Sequence, residues 1–377
     1  MSNLNTASAR RLSHSPARIA FDRDRSFQAD VRRRVDTYFS DQGLSKHDAP
    51  AMYVKTAVIL AVFSLSYALL VFWASTLWEG IPLTMLLGLA AAGIGFNIEH
   101  DGGHRSYSRH QWINQATAMT LDLVGASSYI WRWKHAIFHH NWVNIHGYDS
   151  DTELGAIGRL HPSDRRLFHH RWQHWYMWPL YGVTAIKWHL YDDFRDLITG
   201  RIGGQRFPRP RGRHLVGLIA GKLVFFTLAL GLPLFLHPVG VVLATYALFA
   251  AVVGVVLSVV FQLAHCVEGA HFRNVAHTDP VVDRPWAVHQ VECTVDFARK
   301  SRLAAWLLGG LNFQIEHHLF PGICHVHYPA IAPIVEAACR DHGVDYQGGM
   351  SFWQALGSHY RWLKRMGRTE TVQTSAS

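Results

Sequence analysis

The stretch from Leu223 to Val267 reads LVFFTLALGLPLFLHPVGVVLATYALFAAVVGVVLSVVFQLAHCV, 45 consecutive residues without one Asp, Glu, Lys or Arg. A helix needs about 20 apolar residues to cross a bilayer, so this block holds two spans. GLPLFLHPVG at 231–240 supplies the turn between them, because Pro233 and Pro238 each disrupt a continuous helix. The reading works outward to a second block of the same kind. Residues 56–78 (TAVILAVFSLSYALLVFWASTLW) and 80–98 (GIPLTMLLGLAAAGIGFNI) carry no charge and are separated by Glu79 alone. Buried helices of a soluble protein seldom run so long without charge, so the four segments are predicted as membrane spans, about 55–77, 80–98, 215–236 and 239–264. Lys222 near the start of the third is expected to snorkel toward the interface.

All 36 Lys and Arg lie in 1–55, 99–222 or 268–377, and none in 56–98 or 223–267. The apolar blocks are therefore two hairpins entered from one side, with short far-side turns at 78–80 and 232–239. By the positive-inside rule that side is cytoplasmic and holds both termini. The formal net charge of +9 then orients the chain and does not signal nucleic acid, for which no recognition motif is present. The expected fold class is an all-α integral membrane protein, with interfacial helices and a cytoplasmic helical cap. Residues 113–130, with Asp122 at their centre, are expected to lie in the interface, since a central acid costs about 3 kcal/mol on insertion. The aromatic run at 170–190 is expected to do the same, with His169, His170, His174 and His189 as surface anchors. Residues 1–50 form a basic polar N-terminal region. The membrane domain covers 51–345, and 346–377 form a C-terminal cytoplasmic segment and tail, frayed after Arg368. No cleavable leader is apparent before residue 56.

Four cysteines (Cys266, Cys293, Cys324, Cys339) without CxxC spacing exclude a disulfide scaffold and a thiolate metal ribbon, and Cys266 and Cys324 read as packing residues. The 26 histidines are the unusual number. Chance alone gives roughly two HisHis pairs in such a chain, so the three observed carry little weight. Their placement carries more. His100 and His104 follow the second span directly, and His265 closes the fourth. His135, His139 and His140 stand in HAIFHH, and His317 and His318 in QIEHH. His100 and His104, four apart on a helix, put two imidazoles on one face, and His135 and His139 are expected to repeat that geometry. Convergent neutral imidazoles suit iron, copper or zinc. HExxH is absent, and only one Glu-x-x-His occurs (Glu268 to His271), against the two of a carboxylate di-iron bundle. A nitrogen-rich site for two metals is the expectation. Asn144, Asp149 and Asp151 follow closely enough to orient a ligand imidazole, or stand as solvated loop residues. Glu316 either supports the site or faces outward.

HDGGH (100–104), HAIFHH (135–140) and QIEHH (314–318), set between two membrane hairpins, resemble the three histidine boxes of the membrane fatty acid desaturases. The resemblance covers roughly residues 50–345. The Gln in the third box, with FQLAHCVE and VHQVECTVDFA, is similar to the front-end, delta-6-like branch. It implies two iron ions held by His100, His104, His135, His139, His140, His265, His317 and His318, with Gln314 standing where other branches place a histidine. It also implies O2 as co-substrate, a fatty acyl substrate on lipid or CoA, and a separate electron donor, ferredoxin-like or a b-type cytochrome. No HPGG haem segment, GxGxxG or CxxC cluster occurs within the chain. If bacterial, the protein would lie in the inner membrane. The same scaffold hosts hydroxylases and ketolases, and a non-catalytic lipid-binding protein is a rival of a different class.

Overall fold

The computed structural model describes residues 19–275 and 281–369. The expected basic N-terminal region and polar tail fall partly outside the described residues. Four helices are long and apolar enough to cross a membrane: α2 (Pro50–Phe72), α3 (Leu77–His104), α4 (Arg213–Leu236) and α5 (Val239–His265). An amphipathic helix, α1 (Ser26–Asp41), precedes them, and α6 (Gln314–Leu319), α7 (Tyr328–Asp341) and α8 (Phe352–Arg368) follow.

The local chemistry sets the span ends. Pro50 opens α2, where its missing N–H costs nothing. Thr76 caps α3, and Glu79 Oε2 accepts from the Thr76 and Ser75 N–H groups at 3.0 and 2.9 Å. The far-side turn is therefore 73–76, and not 78–80 as the charge at Glu79 suggested; that charge is a capping group inside the helix. The second turn is also narrower than expected. α4 passes through Pro233 and ends at Leu236, because a π-helical turn, Thr227–Gly231, loosens the ladder just ahead and puts Pro233 in the first turn of the next segment. Only His237 and Pro238 separate it from α5.

α3 packs between α2 and α5 in a core that includes Ile59, Leu87, Ile94, Phe249 and Val253. Lys222 does not snorkel. It is buried, with Nζ 2.7 Å from Asp193 Oδ2 and 2.7 Å from the Gly125 carbonyl. A buried ammonium needs a counter-charge and acceptors, and Asp193 provides the nearer solution than the interface. Residues 113–130 are not one helix but three short ones, Gln111–Ala118, Thr120–Leu123 and Ser128–Trp131. The 168–192 stretch likewise runs 3₁₀, α, α and π. Of its expected surface anchors only His169 is exposed; His170, His174 and His189 are buried. Their second polar edge explains it: His170 Nε2 meets the Ala156 carbonyl at 3.1 Å, and His189 Nδ1 meets Tyr246 Oη at 3.1 Å.

The cap is a separate apolar layer. Phe27, Val31, Val35 and Phe39 recur every fourth residue on α1 and bury against Ile331, Val335 and Cys339 of α7. Each such side chain contributes about 1.5–3 kcal/mol on burial. Ala20 and Phe21 pair in parallel with Val281 and Val282. Buried Arg159 closes the far end of α8, donating to the carbonyls of Met366 (2.7 Å) and Thr369 (2.8 Å).

Candidate metal centre

The first histidine box is the C-terminal foot of α3. A π turn, Gly95–Glu99, precedes it, and the α-helix resumes over His100–His104 with the two imidazole centroids 4.7 Å apart. Gly103 lies against Trp131: a Cβ there would come within 2.2 Å of the indole. The same indole sits 5.5 Å from the His104 ring and 4.7 Å from that of His135, so it wedges the first box against the second.

The second box is not α-helical. Residues Arg132–His139 form a π-helix, whose i to i+5 bonding changes which residues share a face. His135 and His139 still share a face, their rings stacked 5.2 Å apart, but their ligand atoms fall in different groups. His135 instead meets His140, five residues on, with Nε2 atoms 3.3 Å apart. The cluster resolves into groups whose ligand atoms lie within 4.8 Å of one another: His100, His104, His135 and His317; His139, His265 and His318; and His140 with His317 and His318. His140 stands between the first two groups, its ring 4.5 Å from His317 and 4.3 Å from His318.

All eight histidines predicted from the sequence thus converge, from α3, the π segment, α5 and α6. The donor chemistry fits a pair of metal ions. His100, His104, His139, His140, His265, His317 and His318 each keep at least one buried ring nitrogen without a hydrogen-bond partner. Orphaned buried polar atoms are costly, and seven facing one another would be a heavy penalty without a cation to bind them. Burial, reinforced by neighbouring imidazoles, holds His135, His140, His317 and His318 well below the usual histidine range, so each is a neutral donor at pH 7.

The surroundings fix the rings. His139 Nδ1 donates to Asp149 Oδ2 at 3.0 Å. Burial disfavours the charged imidazole, but the Asp149 carboxylate outweighs it and raises the His139 proton affinity. Asp151 is farther, 3.8 Å from the same nitrogen, and is tied to Lys134 at 3.0 Å. Among the described residues the Asn144 side chain makes no hydrogen bond to a ligand imidazole. Its Nδ2 donates to the carbonyls of His265, His271 and Cys293, anchoring the end of α5. His318 Nδ1 donates to Gln290 Oε1 at 2.8 Å, and His317 Nδ1 meets Tyr328 Oη at 3.3 Å. Gln314 commits its amide nitrogen to the Leu311 carbonyl (2.9 Å), leaving its oxygen to face His265. Glu316 does not face outward: it is fully buried, and accepts from Tyr346 Oη at 2.9 Å beside Asp296.

The sequence reading missed a second buried chain. Asp101 Oδ2 lies 3.0 Å from His325 Nδ1, and Lys55 Nζ lies 2.9 Å from His325 Nε2. It links the foot of α2, the first box and the segment after the third. Nothing in sequence spacing could pair residues 270 apart; Asp101 inside the first box and His325 soon after the third were the signals.

Four apolar spans carrying a buried two-part histidine cluster define an integral membrane metal-site protein. The fatty acid desaturase family model matches residues 76–349. The sn-1 linoleoyl-lipid 6-desaturase of Arthrospira platensis is 35% identical over 94% of this chain and 96% of its own length. That of Synechocystis sp. is 35% identical over 93% and 98%. An acyl-lipid (8-3)-desaturase of Physcomitrium patens is 37% identical over 90% of this chain and 71% of its own. The chain belongs to the fatty acid desaturase family. It is an oxidoreductase of the membrane, a fatty acyl desaturase of the front-end, delta-6-like type.

Proposed function

We propose that the protein introduces a double bond near the carboxyl end of a lipid-linked acyl chain, at two iron ions held by the histidine cluster. The observation that carries this is the grouping of eight imidazoles into two sets joined by His140. His100, His104, His135 and His317 would hold one ion, and His139, His265 and His318 the other. Iron bound there would supply the oxidant that an unactivated methylene pair requires. Overall, two hydrogens leave adjacent methylenes. With O2, two electrons and two protons they give the double bond and two waters.

This chain's own residues supply geometry. Asp149, Gln290 and Tyr328 each take the outer nitrogen of a ligand imidazole and so fix which nitrogen faces inward. Gln314 offers a neutral oxygen in place of the histidine of other branches. Buried Trp131 and half-buried Phe261 line the cluster with apolar surface, which disfavours water competing with an alkyl chain. Lipid linkage is favoured because the relatives described above are named for acyl-lipid and linoleoyl-lipid substrates. The confinement of basic residues to one side supports a cytoplasmic metal site and termini, with 113–130 and 170–190 at the interface. Electrons arrive from a separate carrier, ferredoxin-like or a b-type cytochrome.

Expression in a host lacking polyunsaturated lipids, followed by gas chromatography–mass spectrometry of its fatty acids, tests the reading. A new double bond at one fixed position is expected. Hydroxylated acyl chains would replace desaturation by oxygen insertion, and unchanged lipids from an iron-loaded, donor-supplied protein would end the proposal.

A further inference from the structure

Two unpaired arginines stand at the edge of the histidine cluster, one beside each of the first two boxes. Arg105 follows His104 directly and is exposed. Its φ of 62° lies in the left-handed region, where glycine or asparagine would be less strained. Arg132 opens the π segment three residues before His135 and is also exposed. Arg132 follows Trp131, whose indole packs on Gly103 and His104 just before Arg105, and the two guanidinium groups lie within electrostatic range of each other. Neither has an acidic or hydrogen-bonding side-chain partner among the described residues; Lys134 next door takes Asp151 instead.

A second basic element docks on the same segment. Tyr129 Oη donates to the Pro208 carbonyl at 2.8 Å, and Phe207 buries against Ile130 and Phe138. This holds the 201–214 loop, whose Arg206 and Arg211 line a shallow cavity of about 330 Å³ and form no ion pair among the described residues. Like charges gathered without counter-ions repel, and the arrangement is relieved by an anion of more than one charge. The left-handed backbone at Arg105 ends α3, with its N–H donating to the Gly102 carbonyl at 3.1 Å and the Ser106 N–H to that of Asp101 at 2.9 Å, and leaves the side chain pointing away unpaired.

We propose that Arg105 and Arg132, extended by the arginines of the 201–214 loop, bind the phosphate of a phospholipid whose acyl chain is the substrate. This rests on the front-end acyl-lipid reading above. A reaction close to the carboxyl end leaves only a few carbons between the oxidised bond and the headgroup. The recognition of the head must then lie close to the metal ligands, which is where these arginines are. An acidic electron carrier would favour a broad surface, whereas this pair sits against two ligand-bearing turns.

The test uses the full chain in nanodiscs of phosphatidylglycerol or of a neutral galactolipid. Retained lipid is read by native mass spectrometry, and desaturation by product analysis. Wild type should retain phosphatidylglycerol selectively, and the Arg105→Gln/Arg132→Gln variant should lose that selectivity at least 10-fold. The variant's KM for phosphatidylglycerol should rise by a similar factor, with kcat changed less than threefold. Arg105→Gly should melt at a higher temperature than wild type yet retain less phosphatidylglycerol, an outcome that a merely structural arginine does not give. Protection by inorganic phosphate or CoA equal to that by phosphatidylglycerol would overturn the lipid-head assignment. So would a double variant altered only in its KM for reduced ferredoxin. Selective retention without any desaturation would uphold the phosphate site and defeat the acyl-lipid reading on its own; desaturation indifferent to both arginines would do the reverse.

Discussion

His139 Nδ1 lies 3.0 Å from Asp149 Oδ2, with both side chains almost completely buried. The carboxylate fixes the proton on Nδ1, so Nε2 is the nitrogen presented to His265 and His318. Replacing Asp149 by Ala frees the ring to change tautomer. Metal affinity should fall about 10- to 100-fold, with activity falling alongside. Iron titration of the purified variant checks this, and unchanged affinity would remove Asp149 from the site.

His140 and His265 should differ in stoichiometry. His265 belongs to one group, whereas His140 stands between both. His265→Ala is expected to keep close to half of the bound iron, and His140→Ala to lose more than half, as read by elemental analysis of protein purified under iron. Activity should be absent in both. Equal iron contents would show that the two groups are not separate sites. His139→Ala should lose iron and activity together.

Lys222 and Asp193 form a buried pair with 2.7 Å between charges. Removing one partner leaves an uncompensated charge inside the membrane domain, and Lys222→Met should cost about 3–5 kcal/mol. Thermal melts in detergent measure it. A second change, Asp193→Asn, should recover part of the loss, whereas a deeper fall in the double variant would contradict the pairing.

Asp48 is one carboxylate that should contribute to the acid limb of stability. Although partial burial opposes ionisation, it accepts from the Ser108 hydroxyl, the Arg109 N–H (3.0 Å) and Tyr53 Oη (2.9 Å), and these hold its carboxyl well below the usual range. A folded value below the unfolded one stabilises the protein above the ordinary Asp range, near pH ~4, and that stability is lost as pH falls toward the folded value. Asp48→Ala should therefore cost about 1–3 kcal/mol at neutral pH and progressively less in acid. Melting curves across pH compare the two; a constant difference at every pH would exclude the ionised Asp48 as the cause.

The candidate site was legible residue by residue, but its internal geometry was not. His100, His104 and His265 stood out because they fall where an uncharged span ends, and the other five because they stand in the HAIFHH and QIEHH patterns. Their division between two metals depends on the π-helix at Arg132–His139, since α spacing pairs His135 with His139 and π bonding pairs it with His140. No residue in that segment marks a π turn. Glu316 was left between two readings, and His189 misplaced, for a related reason. A polar side chain reads as exposed unless its partner is known, and their partners, Tyr346 and Tyr246, lie 30 and 57 residues away.

The sequence by itself determined the membrane class, the four spans, the side on which charge collects, and the eight convergent histidines. These follow from local free energies: an uncharged run of about 20 residues favours the bilayer whatever its neighbours do. Tertiary structure alone decided which nitrogen of each ring faces inward, how the imidazoles divide, and that Lys222 pairs with Asp193 and not with the interface. Those outcomes depend on which buried polar groups meet across the fold, and a buried group takes the partner that packing brings within hydrogen-bonding distance.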